Sequence, residues 1–332
     1  MSDVAAPAAS EPTQVRPADV IAAAADAGRA GEPVALVTVI EASGSTPRHA
    51  GARMLVREDG AIVGSVGGGK IELEIIEAAR AVARGQAPAT RFSRHLVHDL
   101  AMCCGGRMQA WIEPLGGARW KALDEATRRR RARRSCVLVT SMAEPGGMDV
   151  LADDASLAAR RPRLDGDRFY DPLRPSERVV LFGGGHVAQA LAPLAAAVGF
   201  DVVVCDEEAA FASQERFPVA AALVHSFDRQ EITRELGGLG AEDHLIILTR
   251  DHAVDQQILE QWIGDDAVGY LGMIGSRGKV GRFRKRLEAK GLIDEARWQR
   301  LHAPVGLSIG AETPEEIAVA IVAELIAWRR RA

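Results

Sequence analysis

The chain has 332 residues, 26% charged and 47% hydrophobic, with a formal net charge of -4. That is the balance of an ordinary globular protein with room for two domains. It gives no electrostatic case for nucleic acid, and no apolar run approaches a membrane span. The four cysteines, Cys103, Cys104, Cys136 and Cys205, make no disulfide framework for a chain this long, and no C-x-x-C or H-E-x-x-H pattern supports a structural zinc site.

Residues 1–18 lack a basic start and an apolar centre, so they read as a disordered tail rather than a signal peptide, and the cytoplasm is the expected location. A helix is expected from Pro17 to Ala30, then a buried strand from Pro33 to Ile40. The polar stretch Glu41 to Gly51 follows. Ala52–Arg57 and Ala61–Val66 read as a hairpin around Glu58-Asp-Gly60. A glycine cluster, Gly67-Gly68-Gly69, then opens a helix with Ile71, Ile75, Ala79 and Val82 on one face. The segment Arg91 to Leu100 reads as extended and leads into Ala101-Met-Cys-Cys-Gly-Gly-Arg107. Met108–Leu115 reads as a strand, Trp120–Arg134 as a helix with a basic end, and Ser135–Ser141 as a strand. From Met142 to Pro175 the pattern is poor, and Asp171-Pro-Leu-Arg-Pro175 reads as a domain boundary.

From Arg178 strands and helices alternate. Strands are expected at 179–182, 201–205, 221–226, 244–249 and 268–274, and helices at 186–198, 229–236, 252–262 and 277–290. This is a doubly wound parallel sheet. The last helix carries its own start signal: Thr313 as N-cap, Pro314 in the first position, and Glu316 closing a capping box. Cys136 and Cys205 fall inside apolar strand patterns and read as core thiols.

Several places could carry chemistry. Gly183-Gly184-Gly185-His186 sits between a strand and a helix and fits G-x-G-x-x-A through Ala188. Asp206, at the end of the next strand, stands near the spacing of a ribose-binding acid. Cys103 and Cys104, among glycines and beside Arg107, suit a reactive thiol or a soft metal; the plainer alternative is a half-buried pair in a turn. The loop with Gly44, Ser45, Thr46 and Arg48 offers hydroxyls and a guanidinium to an anion, or is a solvated loop. Gly67, Gly68 and Gly69, with Glu72, place glycines at a helix N-terminus; a ligand and close strand–helix packing explain them equally. At the carboxyl ends of the later strands, Gly275, Ser276 and Arg277 bring together a helix dipole, a hydroxyl and a guanidinium. Thr249-Arg-Asp-His252 reads mainly as Asp251 capping a helix. The run Arg128 to Arg134 reads as a solvated helix face or a docking surface for an acidic partner.

Six motifs in order resemble one family: Gly44-Ser-Thr-Pro-Arg48, Val66-Gly-Gly-Gly-x-x-Glu72, Cys103-Cys-Gly-Gly106, Gly183-Gly-Gly-His-Val187, Leu271-Gly-Met-Ile-Gly-Ser-Arg277 and Pro304-Val-Gly-Leu-x-Ile-Gly-Ala-Glu-Thr-Pro314. The chain is similar to the xanthine dehydrogenase accessory proteins of the XdhC/CoxI type. The resemblance implies an α/β protein with an N-terminal XdhC/CoxI-type domain, here 19–175 with its linker, and a C-terminal Rossmann-like domain, here 176–332. It implies a chaperone that holds molybdenum cofactor (molybdopterin) during sulfuration by a cysteine desulfurase and passes it to the molybdenum subunit of xanthine dehydrogenase. It also implies a homodimer with no turnover of its own. The cofactor's phosphate would rest on Gly183–Val187 or on Gly275–Arg277, and Cys103 or Cys104 would lie near the metal. The residues also admit an NAD-dependent oxidoreductase, with Asp206 on the ribose and His252 as acid–base, or an interaction module with an empty Rossmann fold.

Overall fold

The computed structural model describes residues 17–100, 105–117, 119–143, 146–152 and 161–331. The chain divides into two units at Pro175 and Ser176. In the first, α1 (Pro17–Arg29) precedes β1 (Val34–Ser43), so the last two residues of the expected tail are helical and the rest of it lies outside the described residues. Next come β2 (Arg53–Arg57), β3 (Ile62–Gly64), α2 (Gly69–Ala83), β4 (Thr90–His95), α3 (Leu96–Leu100) and β5 (Arg107–Pro114). The strands form one antiparallel sheet in the order β3-β2-β1-β5-β4.

β1 reads as a continuous apolar run because both faces of this sheet are covered. Val37, Val39, Met54 and Val56 pack with Ile71, Ile75, Ala79 and Val82 of α2. Leu36 and Leu55, on the other face, pack with Val20 and Ile21 of α1 and with a second layer. That layer holds α4 (Arg119–Arg131), β6 (Cys136–Ser141), β7 (Gly147–Leu151), β8 (Arg163–Asp165) and β9 (Arg168–Leu173). Its four strands are antiparallel in the order β7-β6-β9-β8.

The second layer departs from the sequence-based expectation. The stretch after Met142 holds three strands, and Asp171, expected in a boundary loop, is a buried β9 residue whose carboxylate accepts from Arg53 Nη1 at 2.6 Å. These strands leave a weak pattern because they are short and carry Gly, Asp, Arg and Pro on half-exposed positions. Residues 96–100 are likewise helical, not extended. The His95 N–H donates to the Asp99 carboxylate at 2.7 Å, a local bond that starts the turn. Glu113, on the face that meets this layer, is almost fully buried. Burial pushes its carboxyl up to about 8, against the opposing pull of Arg119, the Trp111 side chain and Arg53.

In the second unit, β10 (Arg178–Phe182), α5 (His186–Ala197), β11 (Asp201–Cys205), β12 (Ala220–Val224), α6 (Arg229–Glu235), β13 (Asp243–Ile247), α7 (His252–Trp262), β14 (Tyr270–Met273), α8 (Arg277–Ala289), α9 (Glu295–Gln299), β15 (Leu301–His302) and α10 (Pro314–Arg331) follow in turn. All six strands are parallel, in the order β12-β11-β10-β13-β14-β15. Counted from β10 this is 3-2-1-4-5-6, the doubly wound order, and the direction of winding reverses between β10 and β13. One face packs on α5 and α10 through Leu191, Ala195, Ile321 and Leu325; the other packs on α7 and α8 through Ile258, Trp262, Phe283 and Leu287. The capping box is formed: Glu316 N–H donates to Thr313 Oγ1 at 3.2 Å, and Thr313 N–H to Glu316 Oε2 at 3.1 Å. Among the described residues no helix is long and apolar enough to cross a membrane.

Candidate functional site

In the first unit, three of the sequence-predicted segments meet. β1 and β5 pair as far as Ser43 opposite Arg107, which brings the Gly44–Arg48 loop against Gly105 and Gly106. A methyl group on Gly106 would lie 2.5 Å from the carbonyl oxygens of Ser43 and Ser45. One on Gly67 would lie 2.5 Å from Pro47 Cγ. Ser45, Thr46, Arg48, Gly67 and the end of the Cys-Cys-Gly-Gly motif are therefore neighbours. Cys103 and Cys104 themselves lie outside the described residues.

The glycine turn before α2 already holds an anion. Oε2 of Glu72 accepts from Ser65 Oγ at 2.6 Å and from the N–H groups of Val66, Gly67 and Gly68 at 2.9, 3.2 and 3.1 Å. Gly67, Gly68 and Gly69 all have positive φ (134°, 74° and 68°), which gathers these donors around one point. Glu72 is thus the turn's internal counter-ion, and those three N–H groups are not open to a phosphate.

In the second unit, Gly183–Gly185 and Asp206 line a cleft of about 380 Å³ at the carboxyl ends of β10, β11 and β13, with Glu207, Glu208 and Thr249 to Asp251. Asp206 is buried; its Oδ2 accepts from Gly184 N–H at 2.9 Å and its Oδ1 from Glu208 N–H at 3.1 Å. Two of the glycines answer to the protein. A methyl on Gly183 would lie 2.9 Å from Leu248 O and Thr249 Cα, and one on Gly184 would fall on the Phe211 carbonyl. Only Gly185 has room for a side chain, whose first atom would touch Arg250 Cγ at 4.0 Å, and its φ is -75°. Arg250 stacks over Phe211, 3.6 Å from the ring centroid, and pairs with Glu208 at 3.0 Å. His186 is exposed at the start of α5 and does not line the cleft.

Gly275, Ser276 and Arg277 lie elsewhere on the same edge. With Ile274 and the loop 304–311 they line a second cleft, of about 560 Å³, which shares no residue with the first. Ser276 caps α8 by accepting from Lys279 N–H at 3.3 Å. The Lys279 side chain is buried; its Nζ pairs with Asp255 and donates to Ile274 O at 3.0 Å. Asp255 in turn accepts from Thr249 N–H and Oγ1, at 3.1 and 2.7 Å. One ion pair thus fastens a wall of each cleft. Asp251 caps α7 through Ala253 N–H, and His252 is exposed.

Family profiles match both units: one described as the XdhC and CoxI family over residues 27–93, and one described as the XdhC Rossmann domain over residues 179–325. The chain belongs to the XdhC and CoxI family. It is 30% identical to the uncharacterized protein YqeB of Escherichia coli over 90% of its own length, and it spans 44% of YqeB. It is 28% identical to a protein of Bacillus subtilis named as a probable xanthine dehydrogenase subunit, covering 90% of this chain and 94% of that one. It is 26% identical to the molybdenum cofactor insertion chaperone PaoD of Escherichia coli, covering 92% of this chain and 86% of PaoD. The crystal structure of a xanthine dehydrogenase from Bacillus halodurans superposes with a TM-score of 0.79, at 25% identity and 96% coverage of both chains.

In this XdhC and CoxI family member, several residues at the sites carry no signal in the sequence. Asp255 and Lys279 sit 24 residues apart on different helices, so no local pattern pairs them. Phe211 sits in the segment after β11 and covers a turn more than twenty positions earlier. His95 and His98, with rings 4.3 Å apart, precede the Cys103–Cys104 segment; their H-x-x-H spacing was the available signal. Among the described residues no group of three or more His, Cys, Asp or Glu is arranged to hold a metal. The basic end of α4 is partly spent internally: Arg128 and Arg129 pair with Glu125, and Arg130 donates to Arg174 O.

Proposed function

We propose that this chain is an accessory protein in xanthine dehydrogenase maturation. It binds molybdenum cofactor, holds it while a cysteine desulfurase replaces an oxo ligand with sulfur, and delivers it to the dehydrogenase's molybdenum subunit. It turns over no substrate itself and works as a cytoplasmic homodimer whose XdhC/CoxI-type domain runs from 19 to 175. The observation that carries this reading is the near end-to-end likeness to PaoD, which goes well beyond a shared Rossmann domain. The chemistry of the residues fits the cargo. A phosphate-bearing pterin needs an anion site, which the first turn of α8 with Arg277 offers, and a molybdenum–sulfur centre suits a thiolate such as Cys103 or Cys104. When bound, the cofactor supplies the metal and the ligand that is exchanged; this chain supplies binding and shielding.

The test is the content of freshly purified protein. Molybdenum and a fluorescent oxidised pterin in near-equal amounts are expected, with both reduced in Cys103→Ala/Cys104→Ala. Full activation of apo dehydrogenase by that double variant would remove the thiols from the mechanism. A second reading, an NAD-dependent oxidoreductase, draws on the strand order and on Asp206 lining the first cleft. It predicts tight NAD binding and a substrate-dependent absorbance change without molybdenum.

A further inference from the structure

The two layers of the first unit meet across a polar seam. Strand register sets Arg53 of β2, Thr38 of β1 and Trp111 of β5 in one row, and Leu55, Leu36 and Glu113 in the row two residues on, all on the face that meets the second layer. Arg53, Thr38 and Glu113 are 2%, 1% and 1% exposed, so solvent does not reach them from outside. The charges are matched in two pairs. Asp171 of β9 accepts from Arg53 Nη1 at 2.6 Å, and Arg119 of α4 stands 3.3 Å from Glu113 Oε2.

The two pairs leave polar atoms over. Among the described residues, Arg53 Nε and Nη2, Thr38 Oγ1, Trp111 Nε1 and Glu113 Oε1 are buried and have no hydrogen-bond partner in the protein. Native proteins rarely strand such atoms. Nε and Nη2 form one edge of the Arg53 guanidinium, with its N–H groups side by side; Nη1 is the nitrogen that holds Asp171 and, at 3.4 Å, the Gly51 carbonyl. A guest in the seam must therefore accept from Arg53. It must also serve Glu113, which offers an O–H when protonated and lone pairs when ionised. Water meets both demands. A halide only accepts and would oppose the ionised carboxylate, and a metal cation would face the guanidinium.

We propose that this seam is a binding site for ordered water, with at least one molecule accepting from the free edge of Arg53 and hydrogen-bonded to Thr38 Oγ1 and Glu113 Oε1. The layers are then joined by a chain that runs from Asp171 through Arg53, water and Glu113 to Arg119, with direct ion pairs only at its ends. The water turns to suit Glu113 in either protonation state, so the chain holds through the titration of that carboxyl. Its other end braces a loop. Arg53 Nη1 reaches Gly51 O, and a methyl on Gly51 would lie 3.7 Å from Asp171 Oδ1 and 2.9 Å from Pro162 Cγ. The seam thus fixes the last residue of the polar stretch whose first glycine, Gly44, packs on Gly106. None of this depends on the cargo proposed above.

The test is Thr38→Val in the full chain, which exchanges a hydroxyl for a methyl at nearly constant volume. If Thr38 is bonded to water, one hydrogen bond is lost, and the amides of β1 and β5 should exchange hydrogen about fivefold faster. In a dry seam the same change removes a stranded hydroxyl, and exchange should slow. Glu113→Met should also speed exchange. The double variant should be faster by less than the product of the two single effects, because both lose the same water. A crystal structure of the unmodified chain covers the case of a variant that does not fold. It should show a water within hydrogen-bond distance of the Arg53 edge, Thr38 and Glu113. Slower or unchanged exchange in Thr38→Val, single effects that simply multiply, or a seam closed by direct contact of Arg53 with Glu113 would each overturn the proposal. So would stability that rises with chloride in the unmodified chain but not in Thr38→Val, the mark of a bound halide.

Discussion

At the Gly67–Gly69 turn the N–H groups of Val66, Gly67 and Gly68 gather around a carboxylate from the helix that follows, whereas Gly183–Gly185 pack beneath Phe211 and against Thr249. The first turn needs glycine for its backbone angles, all three φ being positive. The second needs it chiefly for space: Gly183 alone has positive φ, and the carbonyl of Phe211 fills the place of a Gly184 side chain. Both look like phosphate loops in sequence. Each is accounted for by protein atoms before any ligand arrives, apart from Gly185. A glycine-rich turn therefore reports a crowded or left-handed backbone first, and a ligand only where donors and space remain.

Gly184→Ala gives the sharpest break between the two turns. Its methyl has nowhere to go without moving backbone, so about 3 kcal/mol of stability should be lost from the second unit, read as loss of hydrogen-exchange protection in β10 and α5. Glu72→Ala attacks the other turn by stranding the Ser65 hydroxyl and three N–H groups. A loss of roughly 2 kcal/mol in urea unfolding is expected, with Glu72→Gln recovering part of it.

A pH scan separates the units in another way. Folded Glu113 holds its proton up to about 8, while the unfolded chain releases it near 4.5. Between those values the folded state binds more protons, so the first unit should lose stability as pH rises, by at most ~1.4 kcal/mol per pH unit, and level off above 8. Glu113→Gln should flatten that slope; an unchanged slope would show that another group carries it. Open space alone does not make a glycine replaceable: Gly68→Ala, at φ 74° and ψ -179°, a region that essentially only glycine adopts, should cost about 2 kcal/mol. Gly185→Ala, at φ -75°, should stay within ~0.5 kcal/mol in the same denaturation series.

The second unit was legible because its central strands are short runs buried on both faces and its long helices keep their period; Thr313 and Glu316 even declared where α10 begins, while the short α9 and the two-residue, half-buried β15 left no pattern to expect. The four-stranded layer of the first unit was not legible. Gly147-Met-Asp-Val-Leu151 and Arg168-Phe-Tyr-Asp-Pro-Leu173 look like turns, and what makes Asp171 a strand residue is Arg53, more than a hundred positions earlier. The sites were half legible. Their glycines, Ser276 and Arg277 stand where the motifs put them. What decides their chemistry is the Glu72 carboxylate in one turn, the acids around Arg250, and the burial of Lys279. Those are tertiary facts.

Glu72 has one more consequence. A carboxylate joined to its binding turn by six residues is a competitor that cannot diffuse away, present at an effective concentration in the millimolar range or above. Free anions at ordinary concentrations cannot displace it from Val66, Gly67 and Gly68. A visitor that did would have to hold those donors and the Ser65 hydroxyl at once, and the displaced carboxylate would swing out at the start of α2, changing the charge of that surface as the visitor settled.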